Sequence, residues 1–255
     1  MKPNPRIVFF GSSRFSEYVL DELKNADHFP VLDITSAKAP LPSVEELREL
    51  QPDLFVVASF GKILPQEILN IPAHGSLNVH PSLLPELRGP APIQNIILGH
   101  GAPGVTIIKM DEQMDHGPIL AQEAVTLATL PDHYDIVEEQ LARAGGKLLA
   151  DTIPSWIEGD LTPVPQDDTK ATYIKLIKKE DGLLDLAAPA EENVRKVLAY
   201  STWPGAYFFF KRKTGEEIRV VVKDARAESG VFTPTRVIPA GKKEMDWESF
   251  LRGNA

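Results

Sequence analysis

The chain has 255 residues and a formal net charge of −9, with 43% hydrophobic residues, 25% charged residues and no cysteine. This composition supports a globular protein with a real core, as one large domain or a medium one with a small companion. It excludes a disulfide framework, a thiolate nucleophile and a thiolate-held metal, and the acidic balance argues against broad, sequence-blind binding to nucleic acid.

The charge is uneven, at +3 over residues 206–255 against −12 over the remainder, an asymmetry that fits either a tail domain touching phosphate or a solvated surface with some lysines. The opening MKPNPRIVFFGSS has an apolar run too short for a signal peptide, and no stretch approaches a membrane span, so a cytoplasmic location without membrane attachment is expected.

In chain order, residues 6–10 (RIVFF) read as a buried first strand, followed by the Gly11-Ser12-Ser13 turn and a helix over about 15–25. This is a Rossmann-like opening, but without a GxGxxG fingerprint it does not predict a dinucleotide. Residues 31–34 form a second strand, and Ser43 with Glu46 makes a capping box that opens the helix SVEELREL. The continuous apolar run DLFVVAS (53–59) has the character of a parallel strand buried on both faces. It leads into Phe60-Gly61-Lys62-Ile63-Leu64-Pro65, where Gly61 permits a ligand close approach to the backbone.

Residues 76–98, SLNVHPSLLPELRGPAPIQNIIL, begin with the period-two alternation Leu77, Asn78, Val79, His80 and break into a proline-punctuated loop. Pro92 suits the first turn of the helix that follows. Asn78 and His80 thus share one face at the C-terminal end of a strand, where open α/β sheets bind ligands. A carboxamide beside an imidazole pairs an oxyanion donor with a proton carrier.

Residues 104–110 (GVTIIKM) are a further strand, followed by Asp111-Glu112-Gln113-Met114-Asp115-His116-Gly117-Pro118, whose acid and imidazole spacing fits no usual metal site. A strand over 119–127 precedes a helix over 134–158, which Gly145-Gly146 weakens and Pro154 can kink. The charged span 175–185 reads as a linker, and a short helix starts after Pro189. YFFFKRK, a turn at Thr214-Gly215 and EIRVVVKDARAE then form a hairpin pattern.

Asn78-Val79-His80-Pro81-Ser82-Leu83-Leu84-Pro85, with Arg88-Gly89 and Ala91-Pro92-Ile93, resembles the signature of the folate-dependent formyltransferases, and most closely of those members that act on methionyl-tRNA. The resemblance extends to FGSSRF at the start, FGKILP, GVTIIKMDEQMDHG, the Gln166-Asp167 and Ala171-Thr172-Tyr173 run, and the closing IPAGKKEMDWESFLRG. It implies an α/β fold, a Rossmann-like catalytic domain over 1–173, a linker over 174–188, and a small, compressed OB-like β domain over 189–255.

It implies further that Asn78, His80 and Asp115 are catalytic, that Lys62, Ile63, Leu64, Ser82, Leu83, Leu84 and Pro85 bind folate, and that Phe15 and Arg88 lie toward the acceptor substrate. The co-substrate would be 10-formyltetrahydrofolate, with no metal, and the partner methionyl-tRNA. The oligomeric state is not readable.

One departure stands out. Members of this family usually carry a long basic insertion before the DLFVVAS strand, where this chain has TSAKAPLPSVEELRELQP with Lys38 the one cation ahead of the helix. The shortening keeps alive a second acceptor class, an amino-sugar nucleotide or other small amine. A glycinamide ribonucleotide acceptor is disfavoured by the tail, and a non-catalytic folate- or RNA-binding module by the retained trio.

Overall fold

The structure, a computed structural model, describes residues 4–254; residues 1–3 and 255, at the outer ends of the two expected domains, lie outside the described residues. The chain runs β1 (Ile7–Gly11), α1 (Arg14–Asn25), β2 (Leu32–Ile34), α2 (Val44–Glu49), β3 (Leu54–Ala58), α3 (Gln66–Leu69), β4 (Ser76–His80), α4 (Pro92–Leu98), β5 (Gly104–Lys109) and β6 (Ile119–Ala124). It continues with α5 (Tyr134–Glu158), α6 (Ala190–Ala199), β7 (Ala206–Lys211), β8 (Glu217–Glu228), β9 (Val231–Pro239), β10 (Met245–Asp246) and α7 (Trp247–Asn254). Two compact units result: residues 1–92, 101–127 and 138–174, and residues 93–100, 128–137 and 175–255.

The first unit is built on a six-stranded sheet in the order β2-β1-β3-β4-β5-β6. Strands β2, β1, β3 and β4 are parallel, whereas β5 and β6 run antiparallel to their neighbours. Strands β1 and β3 are buried along their whole length, and Val8, Phe10, Phe55 and Val57 pack with Leu47 and Ile68 on one side. The Ser43–Glu46 capping box forms as the sequence predicts, with reciprocal bonds of 3.1 and 2.7 Å.

The two glycines that weaken α5 serve close packing. A Cβ at Gly145 would lie 2.6 Å from a Val79 methyl, and one at Gly146 would lie 2.7 Å from the Glu22 Cβ. Between Ile34 and Leu54 the sole helix or strand is α2, as expected from the shortened segment.

The second unit holds the antiparallel sheet β10-β9-β8-β7, whose core joins Phe208, Val220, Val222 and Val237 to Phe250 of α7. Among the described residues this sheet has four strands, against five in an OB barrel. The β7–β8 turn closes through Gly215, at φ +88°, whose amide donates to the Arg212 carbonyl at 2.9 Å. Strand β9 contains Pro234, which cannot donate to the ladder. It is tolerated where the β8–β9 register shifts near Asp224 and Ala225. Among the described residues, no helix is long and apolar enough to cross a membrane.

Candidate active site

Strand β4 lies between parallel β3 and antiparallel β5, with Asn78 opposite Val57 and Ile108, and His80 opposite Thr106. Residues two apart on a strand share a face, so both side chains emerge together at its C-terminal end. Asn78 is half-buried, and its carboxamide has no hydrogen-bond partner among the described residues. His80 is 4% exposed. Its Nε2 lies 3.1 Å from the Leu87 carbonyl, and its Nδ1 faces an Asp115 carboxylate oxygen at 3.4 Å. A carbonyl can only accept, so Nε2 carries a hydrogen in this arrangement.

Asp115 arrives from the loop joining β5 to β6 and holds φ +53°, a conformation uncommon outside glycine. The loop turns tightly enough that a Cβ on Gly117 would lie 1.8 Å from the Lys109 carbonyl oxygen. The Gly89 amide donates to the second Asp115 oxygen at 2.9 Å. Burial alone would raise the Asp115 pKa, but His80, the Gly89 amide and Arg88 together outweigh it and hold the carboxyl below its ordinary value.

Arg88 is expected near the acceptor; the structure buries it to 2% exposure. Its Nε and Nη2 donate to Gln166 Oε1 at 3.0 and 2.8 Å, Nη2 also to Asp168 at 2.8 Å, and Nη1 to the Tyr173 hydroxyl at 3.1 Å. With those donors engaged, Arg88 organises the site from inside.

His116 donates to Asp111 at 2.7 Å and has Asp168 at 3.6 Å on its other nitrogen; the Asp111 hydrogen bond raises its pKa against some desolvation, with both carboxylates adding to the rise. A shallow pocket of about 230 Å³ opens here, lined in part by Arg88, Met114, His116 and Tyr173.

The other expected binding residues divide by exposure. Ile63 is 86% exposed, and Leu83 and Pro85 are half-buried, so these have surface to offer. The Lys62 ammonium donates to the Ala39 carbonyl. Leu64 packs in the core with Val8 and Ile68. Ser82 and Leu84 are buried, the Ser82 hydroxyl donating to Glu86 O at 2.7 Å and the Leu84 amide to Thr106 Oγ1 at 3.2 Å. Phe15, expected near the acceptor, is 2% exposed at the start of α1 and offers almost no free surface.

The sequence assigned no role to Gln166, Asp168 or Thr172. The Thr172 hydroxyl accepts from the Leu87 amide at 2.8 Å, and the Gln166 amide reaches the Asp115 loop. The one advance signal was the run Gln166 to Tyr173, visible only as a resemblance.

Comparisons with known proteins show the family and the fold. A family model described as formyl transferase matches residues 32–153, and one for the formyl transferase C-terminal domain matches residues 176–232. A methionyl-tRNA formyltransferase of Bacillus licheniformis is 40% identical over 301 aligned positions, covering 97% of this chain and 95% of the relative. Since 301 exceeds the length of this chain, the relative carries residues that this chain lacks.

The solved methionyl-tRNA formyltransferase from Clostridium thermocellum shares the fold with a TM-score of 0.70, at 18% identity over 95% of this chain and 99% of that one. HypX from Aquifex aeolicus, solved with tetrahydrofolic acid, gives a TM-score of 0.73 at 19% identity over 98% of this chain and 47% of its own.

Proposed function

The chain belongs to the formyltransferase family, and we propose on that premise that it transfers a formyl group from 10-formyltetrahydrofolate to the amino group of methionyl-tRNA. The observation that carries the reading is the unpartnered Asn78 carboxamide beside the His80–Asp115 pair at the end of β4.

The folate supplies an activated one-carbon unit when bound. An exposed Ile63 beside the Gly61 loop, with Leu83 and Pro85, suits the face of a flat heterocycle, and the backbone of Lys62 and Leu64 suits its polar edge. Ser82 and Leu84 shape that wall from beneath.

Asn78 donates its free N–H to the formyl oxygen as negative charge gathers there, a contribution of about 3 kcal/mol. His80 holds and moves a proton, being the side chain best suited to do so near neutrality. Asp115 is ionised and orients the ring. No covalent enzyme intermediate is required. Arg88 acts on the acceptor side through Tyr173 and Asp168, which it holds in place. Phe15 keeps its place there as support beneath the surface.

Residues 1–173 form the catalytic domain, 174–188 the linker, and 189–255 the domain whose positive balance meets tRNA, in the cytoplasm where translation begins. The test is formyl transfer from 10-formyltetrahydrofolate to methionyl-tRNA and, separately, to amino-sugar nucleotides. Formylation of the tRNA with kcat/KM at least about 100-fold higher is expected; transfer to the amino sugar alone overturns the reading.

A further inference from the structure

We propose that Gln166 is a positioning residue that sets Asp115 against His80. This rests on the reading of Asp115 as part of the catalytic set. Gln166 Nε2 donates to two carbonyls of the Asp115 loop, Asp115 O at 2.9 Å and Gly117 O at 2.7 Å. Its Oε1 accepts two bonds from buried Arg88, at 3.0 and 2.8 Å. The carboxamide is therefore saturated, with two donors and two acceptor sites all used.

The loop it grips has reason to move. Asp115 sits at φ +53°, which a non-glycine residue holds only when its surroundings impose it. The Arg88–Gly89 dipeptide reaches Asp115 twice, through the Gly89 amide to the carboxylate and through Arg88 and Gln166 to the backbone carbonyl. Gln166 is itself anchored: two residues earlier, Val164 exchanges two 2.8 Å backbone bonds with Ile119 of β6. The carboxylate is thus fixed relative to β4 by groups 51 residues further along the chain.

Glutamate separates the two halves of this role. Gln166→Glu keeps an acceptor for Arg88, so the buried guanidinium stays paired, but it replaces both donors facing the loop carbonyls with acceptors. A residue that only satisfied Arg88 would tolerate the change. A positioning residue would not, because displacing a reacting group by about 1 Å can cost about 100-fold in rate.

The experiment measures kcat, KM and pH profiles for wild type, Gln166→Asn and Gln166→Glu with 10-formyltetrahydrofolate and methionyl-tRNA, alongside thermal unfolding. The groups facing Asp115 are His80 from β4, Arg88 and the Gly89 amide from the following loop, and, nearby, Asp111, His116 and Asp168. Expected is a fall in kcat of about 10- to 100-fold in Gln166→Glu, with both KM values within about threefold and the melting temperature lowered by no more than the two lost hydrogen bonds account for.

Gln166→Asn, one methylene short but still an amide, should lie between. The acid limb should move to higher pH, and the alkaline plateau of kcat should stay low. A wild-type kcat in Gln166→Glu overturns the proposal. So does a plateau that recovers to wild type once Asp115 is ionised, since the added charge alone would then explain the loss.

A wild-type protein that formylates nothing sinks the functional reading instead. Positioning is then read in the ligand-free protein from the ring nitrogen shifts of His80, which change in Gln166→Glu if Asp115 is displaced and stay fixed if it is not.

Discussion

Replacing Gly117 with alanine tests whether the catalytic loop depends on one close backbone approach. The added Cβ would lie 1.8 Å from the Lys109 carbonyl oxygen and 2.9 Å from its carbon. Real Cβ contacts do not fall below 3.0 Å, so the two strands of the loop must part by more than an ångström, and both atoms met are backbone. Parting them strains the 2.9 Å bond from the Lys109 amide to Pro118 O and the 2.7 Å bond from Gln166 to Gly117 O.

Overpacking costs about 1–3 kcal/mol and a lost hydrogen bond about 1 kcal/mol, so a loss of roughly 2–4 kcal/mol is expected. At a slope of about 2–3 kcal/mol per molar urea, the midpoint should fall by about 0.7–2 M. Asp115 lies two residues away, and its displacement by about 1 Å should lower kcat about 100-fold. Urea unfolding and steady-state formylation measure the two effects. Gly253→Ala, with no atom within 4 Å of its added carbon in α7, is the control and should be neutral or stabilising by up to about 1 kcal/mol. A Gly117→Ala protein with wild-type midpoint and turnover would show that the close approach is not what holds the loop.

Asn78→Ala should lower kcat by about 100- to 1,000-fold while leaving the melting temperature unchanged, because the carboxamide has no internal partner to orphan; a fall in stability with turnover intact would reverse that assignment. Asp115 is depressed below its ordinary 3.8, so its stabilising contribution is present above that value and lost as pH falls through the folded value. Asp115→Asn should remove this dependence from an acid series of unfolding midpoints.

His116 behaves oppositely, since its pKa is raised above 6.5: its contribution is full below 6.5, disappears as pH rises through the folded value, and should shrink in Asp111→Asn, where Asp168 alone remains. With Lys38 the one cation between Ile34 and α2, tRNA affinity should vary gently with salt, and initiator and elongator methionyl-tRNA should be separated weakly. Rates for both tRNAs across a salt series check this, and a steep slope with strong initiator preference would show that another basic surface has taken over.

Elements whose signal is local were readable from the residues. The helix Tyr134–Glu158 and the strand Glu217–Glu228 begin and end where their patterns do, and the Ser43–Glu46 cap and the placement of Pro92 at the start of α4 follow from bonds spanning a few residues. So does the shared face of Asn78 and His80, which alternation along a single strand guarantees. Strand direction was not readable: nothing in GVTIIKM says that it runs antiparallel to β4 when the strands before it run parallel.

Nor was the part of Arg88. An arginine in a loop suggests a hand held out to substrate, and burying one is favourable only when partners satisfy its donors. Those partners, Gln166, Asp168 and Tyr173, lie 78 to 85 residues away in sequence. The burial of the Phe15 and Leu64 side chains was hidden for the same reason, because an apolar residue beside a site and one packed beneath it look alike until the neighbouring strands are in place. The chemistry of the site is written in single residues, while the geometry that aims it comes from contacts between segments far apart in the chain.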